Sequence, residues 1–106
     1  MGSEAELYTI RAEDEFLLAE KDMLLSTDAK AKIALGIPIG KTFFYSVISH
    51  AYYSIFYCAK AYLFSKGIKT SPPEEHKKTF GAFKKFVDMG VLDAELLKIY
   101  EDAVIT

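Results

Sequence analysis

The chain has 106 residues, 51% of them hydrophobic and 26% charged, with six glycines, three prolines and one cysteine. That apolar content excludes a disordered chain, the scarcity of Gly and Pro excludes collagen-like or linker character, and a lone cysteine excludes a disulfide scaffold; one domain with one core remains. The net charge of -2 hides a segregation: residues 1–28 carry eight acidic and two basic side chains, 29–86 ten basic and two acidic, and 87–106 five acidic and one basic, so the middle of the chain has the charge an anionic partner needs.

The N-terminus opens on Ser3-Glu4-Ala5-Glu6 where a signal peptide would place basic and then apolar residues, and a cytoplasmic protein with a reduced Cys58 is expected. Ser3 and Glu6 have the spacing of a capping box. Leu7, Ile10, Leu17, Leu18, Leu24 and Leu25 follow at helical spacing, interrupted by Lys21, with an acidic remainder, which predicts an amphipathic first helix whose stripe seeks a core. Ser26-Thr27-Asp28 should end it by competing for backbone hydrogen bonds.

A short helical stretch through Ala29–Leu35 is expected before Gly36-Ile37-Pro38-Ile39-Gly40 breaks it. Gly36 to Thr42 superficially suggests a phosphate loop. The Walker pattern, however, needs four residues between its glycines and a strand before it, whereas three stand here after a helix-like segment. Thr42 is instead a candidate N-cap for the next helix.

That helix, about 42–66, carries nine of the fifteen aromatic residues. Its apolar positions cover half the circumference, so it should sit at the centre of a bundle. On the other side Ser46, His50, Tyr53, Tyr57 and Lys60 form one polar-aromatic stripe. The run is long enough to cross a membrane, but His50 and Lys60 are costly in lipid, and a buried helix is the preferred reading. Gly67 closes it as a C-cap glycine.

Ser71-Pro72-Pro73-Glu74 reads as the start of a third long helix, with Ser71 at the N-cap, Pro72 at N1 and Glu74 at N3. His76, Phe80, Phe83, Phe86 and Val87 share one arc, and Lys77, Lys78, Lys84 and Lys85 the opposite side. Gly90 ends it. Asp93 is a candidate cap for a last helix, with Leu92 and Leu97 as a hydrophobic staple. Leu96, Leu97, Tyr100 and Val104 set up an apolar face that stops at Thr106 without a termination signal, and the expectation is a single domain over 1–106 lacking part of its C-terminal helix.

Ser49-His50-Ala51-Tyr52-Tyr53-Ser54, continuing through Phe56-Tyr57, Ala59-Lys60-Ala61-Tyr62-Leu63 and Gly67, resembles the central helix of the HEPN domain family in its short stand-alone prokaryotic branch. His76, then Phe86-Val87 and Gly90-Val91-Leu92, resemble that family's following histidine and closing motif. The likeness runs from about 42 to 92. The helix pattern gives an all-α, up-and-down bundle of four to five helices, HEPN-like, and the mixed stripe of its central helix suits a homodimer; the resemblance implies a nucleotide- or RNA-binding role, with a small nucleotidyltransferase as toxin-antitoxin partner. Two departures stand out. His50 occupies a position where relatives often have arginine. The Arg-x4-6-His motif of HEPN ribonucleases is also absent, since the sole arginine is Arg11 and no histidine follows at that distance, so no catalytic residue is assigned.

The candidate nucleotide or RNA contacts are Lys77, Lys78, Lys84 and Lys85 as phosphate partners, His50 and His76 as donors, and Tyr53 and Tyr57 as stacking platforms. A blander reading stands beside each: a lysine face is commonly just solvated, His76 on the apolar arc suits a packed structural role, and the tyrosine stripe suits a contact with the last helix or a second subunit. In that alternative the protein is a structural interaction module assembling through the stripe. Two histidines without further ligands at matching spacing give no metal site, no cofactor is implied, and no membrane is expected.

Overall fold

The computed structural model describes residues 3–105, the side chains of Val104 and Ile105 excepted; the expected apolar role of Val104 and the stop at Thr106 lie outside what is described. Five helices follow in order: α1 (Glu4–Thr27), α2 (Ala29–Ala34), α3 (Phe44–Ser65), α4 (Glu75–Asp88) and α5 (Ala94–Ile105). There is no strand among the described residues, and the chain is the all-α helical bundle its pattern predicts. α3 is the hub: α1 packs on one side of it, α4 and α5 on the other and on each other, and α1 touches neither α4 nor α5. No helix of the described residues is long and apolar enough to cross a membrane.

Local chemistry sets most of the boundaries. Ser3 Oγ accepts the Glu6 N–H at 3.0 Å, as a capping serine should. Ser26 and Thr27 turn their hydroxyls back onto the carbonyls of Asp22 and Met23. Asp28 then ends α1 by donating its N–H to Leu24 and starts α2 by accepting from the N–H groups of Lys30 and Ala31. Lys32 is buried and donates to the Ile39 carbonyl at 2.5 Å, so an ammonium from within fills the Gly36–Gly40 turn. Gly67 and Gly90, at φ of 80° and 75°, close α3 and α4 in a conformation glycine adopts without steric cost. Asp93 Oδ1 accepts the Glu95 N–H at 2.9 Å, and Leu92 packs against the core that holds Leu97.

Three expectations need correction. α3 begins after Phe43 rather than at a Thr42 cap; the Phe43 N–H is held by Ser26 Oγ at 2.7 Å, which keeps Phe43 outside the helix. α4 begins at Glu75, preceded by Glu74 at a φ of 57° and a cis Pro72–Pro73 peptide. A helix starting at Pro72 would put the residue before Pro73 in the α region, which the proline ring disfavours.

The third correction concerns α1. Its buried residues are Ala12, Ala19 and Ser26, seven apart on one face, while Leu7, Ile10, Leu17, Leu18 and Leu24 are 41–56% exposed. Small side chains let α1 lie close on the aromatic-rich α3, and the leucine stripe falls on the other flank. The main core lies on the far side of α3, where Ala59, Phe83, Leu97 and Tyr100 are joined by Tyr52, Ile55, Tyr62, Phe80, Val87 and Leu92.

Candidate functional site

The polar-aromatic stripe of α3 faces α1, its neighbour within the same chain, rather than the last helix. His50 is half-buried there, with Nδ1 2.5 Å from Glu15 Oε2 and Nε2 3.8 Å from Asp22 Oδ2. The two carboxylates lie on opposite edges of the ring, so they cannot converge with it on one ion, and they surround it with negative potential unfavourable to a phosphate. Among the described residues no group of three or more His, Cys, Asp or Glu side chains is gathered to hold a metal. Ser54 adds a hydroxyl donated to the Ala12 carbonyl at 2.8 Å.

Further along the stripe the chemistry changes. Tyr53 and Tyr57 lie 6.2 Å apart by ring centroids, and the first turn of α4 brings His76 to them. His76 stacks on Phe56 at 4.1 Å, meets Tyr53 edge-on at 5.6 Å, and receives the Tyr52 hydroxyl at Nδ1, 2.7 Å away. Burial, and secondarily the neighbouring Tyr53, push the Tyr52 hydroxyl up from its ordinary pKa. The hydroxyl therefore stays protonated, and its hydrogen bond to Nδ1 fixes the plane of the His76 ring and leaves the Nε2 edge uncommitted. His76 is solvent-exposed and rests on an aromatic shelf rather than in the core. Of the candidate contacts, Tyr53 meets His76 directly, Tyr57 adjoins Tyr53 on its far side, and His50 is held by α1 instead.

Two cations border the cluster. Arg11 of α1 sits over the Tyr57 ring at 5.1 Å, and Tyr57 in turn stacks on Tyr8 at 6.3 Å. Lys60 is buried, paired with Glu75, and lies over Tyr8 at 4.6 Å. The Tyr8 hydroxyl donates to Glu4, which also pairs with Lys69 at 2.7 Å; the Lys69 hydrogen bond holds the Glu4 carboxyl below its usual value, and Glu4 raises the Lys69 ammonium. Tyr8, Arg11, Phe56 and Glu75 are not among the candidate contacts that the sequence pattern gives. The three-residue spacing of Tyr8 and Arg11 places them on one face of α1, but only the packing shows that this face looks at α3.

Lys77, Lys78, Lys84 and Lys85 are all exposed on the outer side of α4. Lys78 donates to the Ser71 carbonyl, and among the described residues none of the four is paired with a carboxylate. Lys77 directly follows His76, so the aromatic shelf and the lysine face share the first turn of α4.

Comparison with known proteins gives one match: the HEPN domain family model aligns with residues 37–103, a span that takes in α3, α4 and most of α5 and leaves α1 outside. No curated protein and no solved structure matches.

Proposed function

This chain belongs to the HEPN domain family, and on that premise we propose that it is a nucleotide- or RNA-binding module whose contact face is the first turn of α4 with the neighbouring turns of α3. The observation that carries the reading is His76: stacked on Phe56 and oriented by Tyr52, it presents its other edge beside Tyr53 at the start of a face of four exposed lysines. A base finds rings to stack on at Tyr53 and His76, and phosphates find Lys77, Lys78, Lys84 and Lys85. Arg11 over Tyr57 extends the positive rim toward α1. No catalytic residue is assigned, because the arginine-histidine spacing of the family's ribonucleases is not among these residues.

The test is the affinity for a labelled single-stranded oligoribonucleotide as a function of salt. With Z phosphates engaged, log K should fall against log salt with a slope of about -0.7Z, and replacing the four lysines by alanine should flatten it. Tyr53→Ala or His76→Ala should weaken binding about tenfold at fixed salt, the loss expected of one stacked base. A flat salt dependence, or full affinity after the lysine replacements, overturns the reading.

Assembly is a second part of the proposal: a homodimer, working with a small nucleotidyltransferase as toxin-antitoxin partner. The exposed Leu7, Ile10 and Leu18 of α1 support an association surface. The alternative, a structural module assembling through the tyrosine stripe, is less well supported, because Tyr57 is engaged by Tyr8 and Arg11 of its own chain. Sedimentation separates the two: the first expects Leu18→Asp to give a monomer and Tyr57→Ala to destabilise the fold without changing the assembly, and the second expects the reverse.

A further inference from the structure

On the side of α3 away from His76 and the lysine face, a trough runs between α1 and α5, which do not touch. Two hollows make it up. One, of about 330 Å³, is lined among others by Ile55, Cys58, Leu92, Leu96 and Ile99; the other, of about 490 Å³, by Ala12, Glu13, Phe16, Leu17 and Glu20. They meet at Ser54 and Cys58, which line both. The α1 wall extends from Thr9 to Glu20, about 16 Å or three turns of helix.

The walls are apolar and uncovered: Phe16 is 56% exposed, Leu17 50%, Leu96 46% and Ile99 50%. Four large side chains facing one another across a straight floor form a shape that an amphipathic helix fills with residues at i, i+3, i+4 and i+7. Among the described residues the charged side chains that line the hollows are Glu13 and Glu20, both acidic and both on the α1 wall. Glu13 acts into the trough as well, since it adds to the burial that pushes the Cys58 thiol above its ordinary pKa.

We propose that this trough is a docking groove for an amphipathic helix of a partner protein, one whose apolar face is flanked by lysines or arginines. A second copy of the chain has no such helix to offer. Among the described helices, α1 and α5 are acidic, the apolar face of α4 is committed to its own core, α3 is packed on both sides, and α2 has only six residues. A basic-flanked helix gains on both counts, burying the leucine and phenylalanine walls and neutralising the glutamates.

The probe is a pair of synthetic 18-residue helical peptides with the same leucine face, one flanked by lysines and one by glutamates, followed by fluorescence anisotropy against the intact chain. The lysine peptide should bind at least tenfold more tightly and slow alkylation of Cys58, the only thiol in the chain. Ile99→Asp, at a half-exposed site and with its helix content checked by circular dichroism, should lower its affinity at least tenfold. Glu13→Lys with Glu20→Lys should reverse the preference between peptides, whereas Glu6→Lys with Asp14→Lys, the same change in net charge elsewhere on α1, should leave it. Equal binding of the two peptides, unchanged Cys58 alkylation, or the same response to both pairs of lysine variants would overturn the proposal. So would self-association that protects Cys58 at rising concentration and is lost in Ile99→Asp, since the occupant would then be a second copy.

Discussion

The side of α3 that meets α4 and α5 and the side that meets α1 are held by different chemistry. Toward α4 and α5, rings interlock: Tyr100 meets Phe80 at 5.1 Å and Phe83 at 5.7 Å, and Tyr62 meets Phe83 and Phe86 edge-on. Toward α1, apart from Tyr8 at one end, which meets Tyr57 and Phe64, alanines and a serine sit against α3, and the distinctive contacts are directional: His50 to Glu15, Ser54 to the Ala12 carbonyl, Ser26 to the Phe43 N–H. Each large side chain buried on the first side is worth about 1.5–3 kcal/mol, and each net hydrogen bond on the second about 1 kcal/mol. Stability therefore comes chiefly from the first side, and the register and approach of α1 from the second. Because α1 is attached through its small residues and Tyr8, its leucines and Phe16 remain available to other molecules.

The sharpest way to break this contrast is to truncate one residue on each side. Phe83→Ala removes a ring that touches Tyr62 and Tyr100 and should cost about 3–5 kcal/mol in urea unfolding. Leu17→Ala, on the exposed flank of α1, should stay within about 0.5 kcal/mol. If the two costs were similar, α1 would have to be packed through its leucines after all.

Enlarging the seam should do what truncating the leucine stripe does not. Ala19 is 7% exposed in the close approach of α1 to α3, and Ala19→Leu should destabilise by about 1–3 kcal/mol through overpacking, although leucine is as good a helix former. A neutral result in thermal denaturation would mean that the two helices are separated by more than small side chains. Slightly smaller is the expected effect of Glu75→Gln, which leaves the buried Lys60 ammonium without its carboxylate. Complete burial of an unpaired charge costs about 3–5 kcal/mol; Glu75 is 24% exposed and the Tyr8 ring still faces the ammonium, so about 1–2 kcal/mol is expected, and Lys60→Met should cost less than Glu75→Gln.

What the sequence made legible divides along the same line. Caps act within a few residues, so Ser3, Asp28, Gly67, Gly90 and Asp93 could be read before any tertiary contact was known, and the aromatic density of α3 marked it as the hub. The orientation of α1 could not be read in that way. Leu7, Leu17 and Leu24 repeat with helical period, but so do Ala12, Ala19 and Ser26, and periodicity does not say which face a neighbour needs. The site divided for a related reason. His50, Tyr53 and Tyr57 share a stripe on α3, yet only the length and placement of α1 decide that Glu15 and Asp22 meet His50 while Arg11 meets Tyr57. Ser71 departs from the cap pattern for a more local reason, because Pro73 disfavours the α region at Pro72, where a helix capped by Ser71 would begin.

The smallest effect concerns Tyr100, which tests whether the α4–α5 side is as purely apolar as the contrast implies. Its side chain is 1% exposed, and its hydroxyl has no hydrogen-bond partner among the described residues. A buried donor left unpaired costs free energy that its removal recovers, so Tyr100→Phe should be neutral or stabilising by up to about 1 kcal/mol at pH 7. Burial, and secondarily Tyr52, raise the Tyr100 pKa far above its ordinary value. A tyrosine whose pKa is raised by folding gives its full contribution below the unfolded pKa of about 10 and loses it as pH climbs from there toward the folded value. Wild-type stability should therefore fall more steeply than that of Tyr100→Phe above pH 10, and the gap between the two in chemical denaturation should widen with pH. Parallel curves would show that water reaches the hydroxyl; a loss of more than about 1 kcal/mol at pH 7 would show that it is bonded, and the core beneath α5 would then share the directional character of the α1 seam.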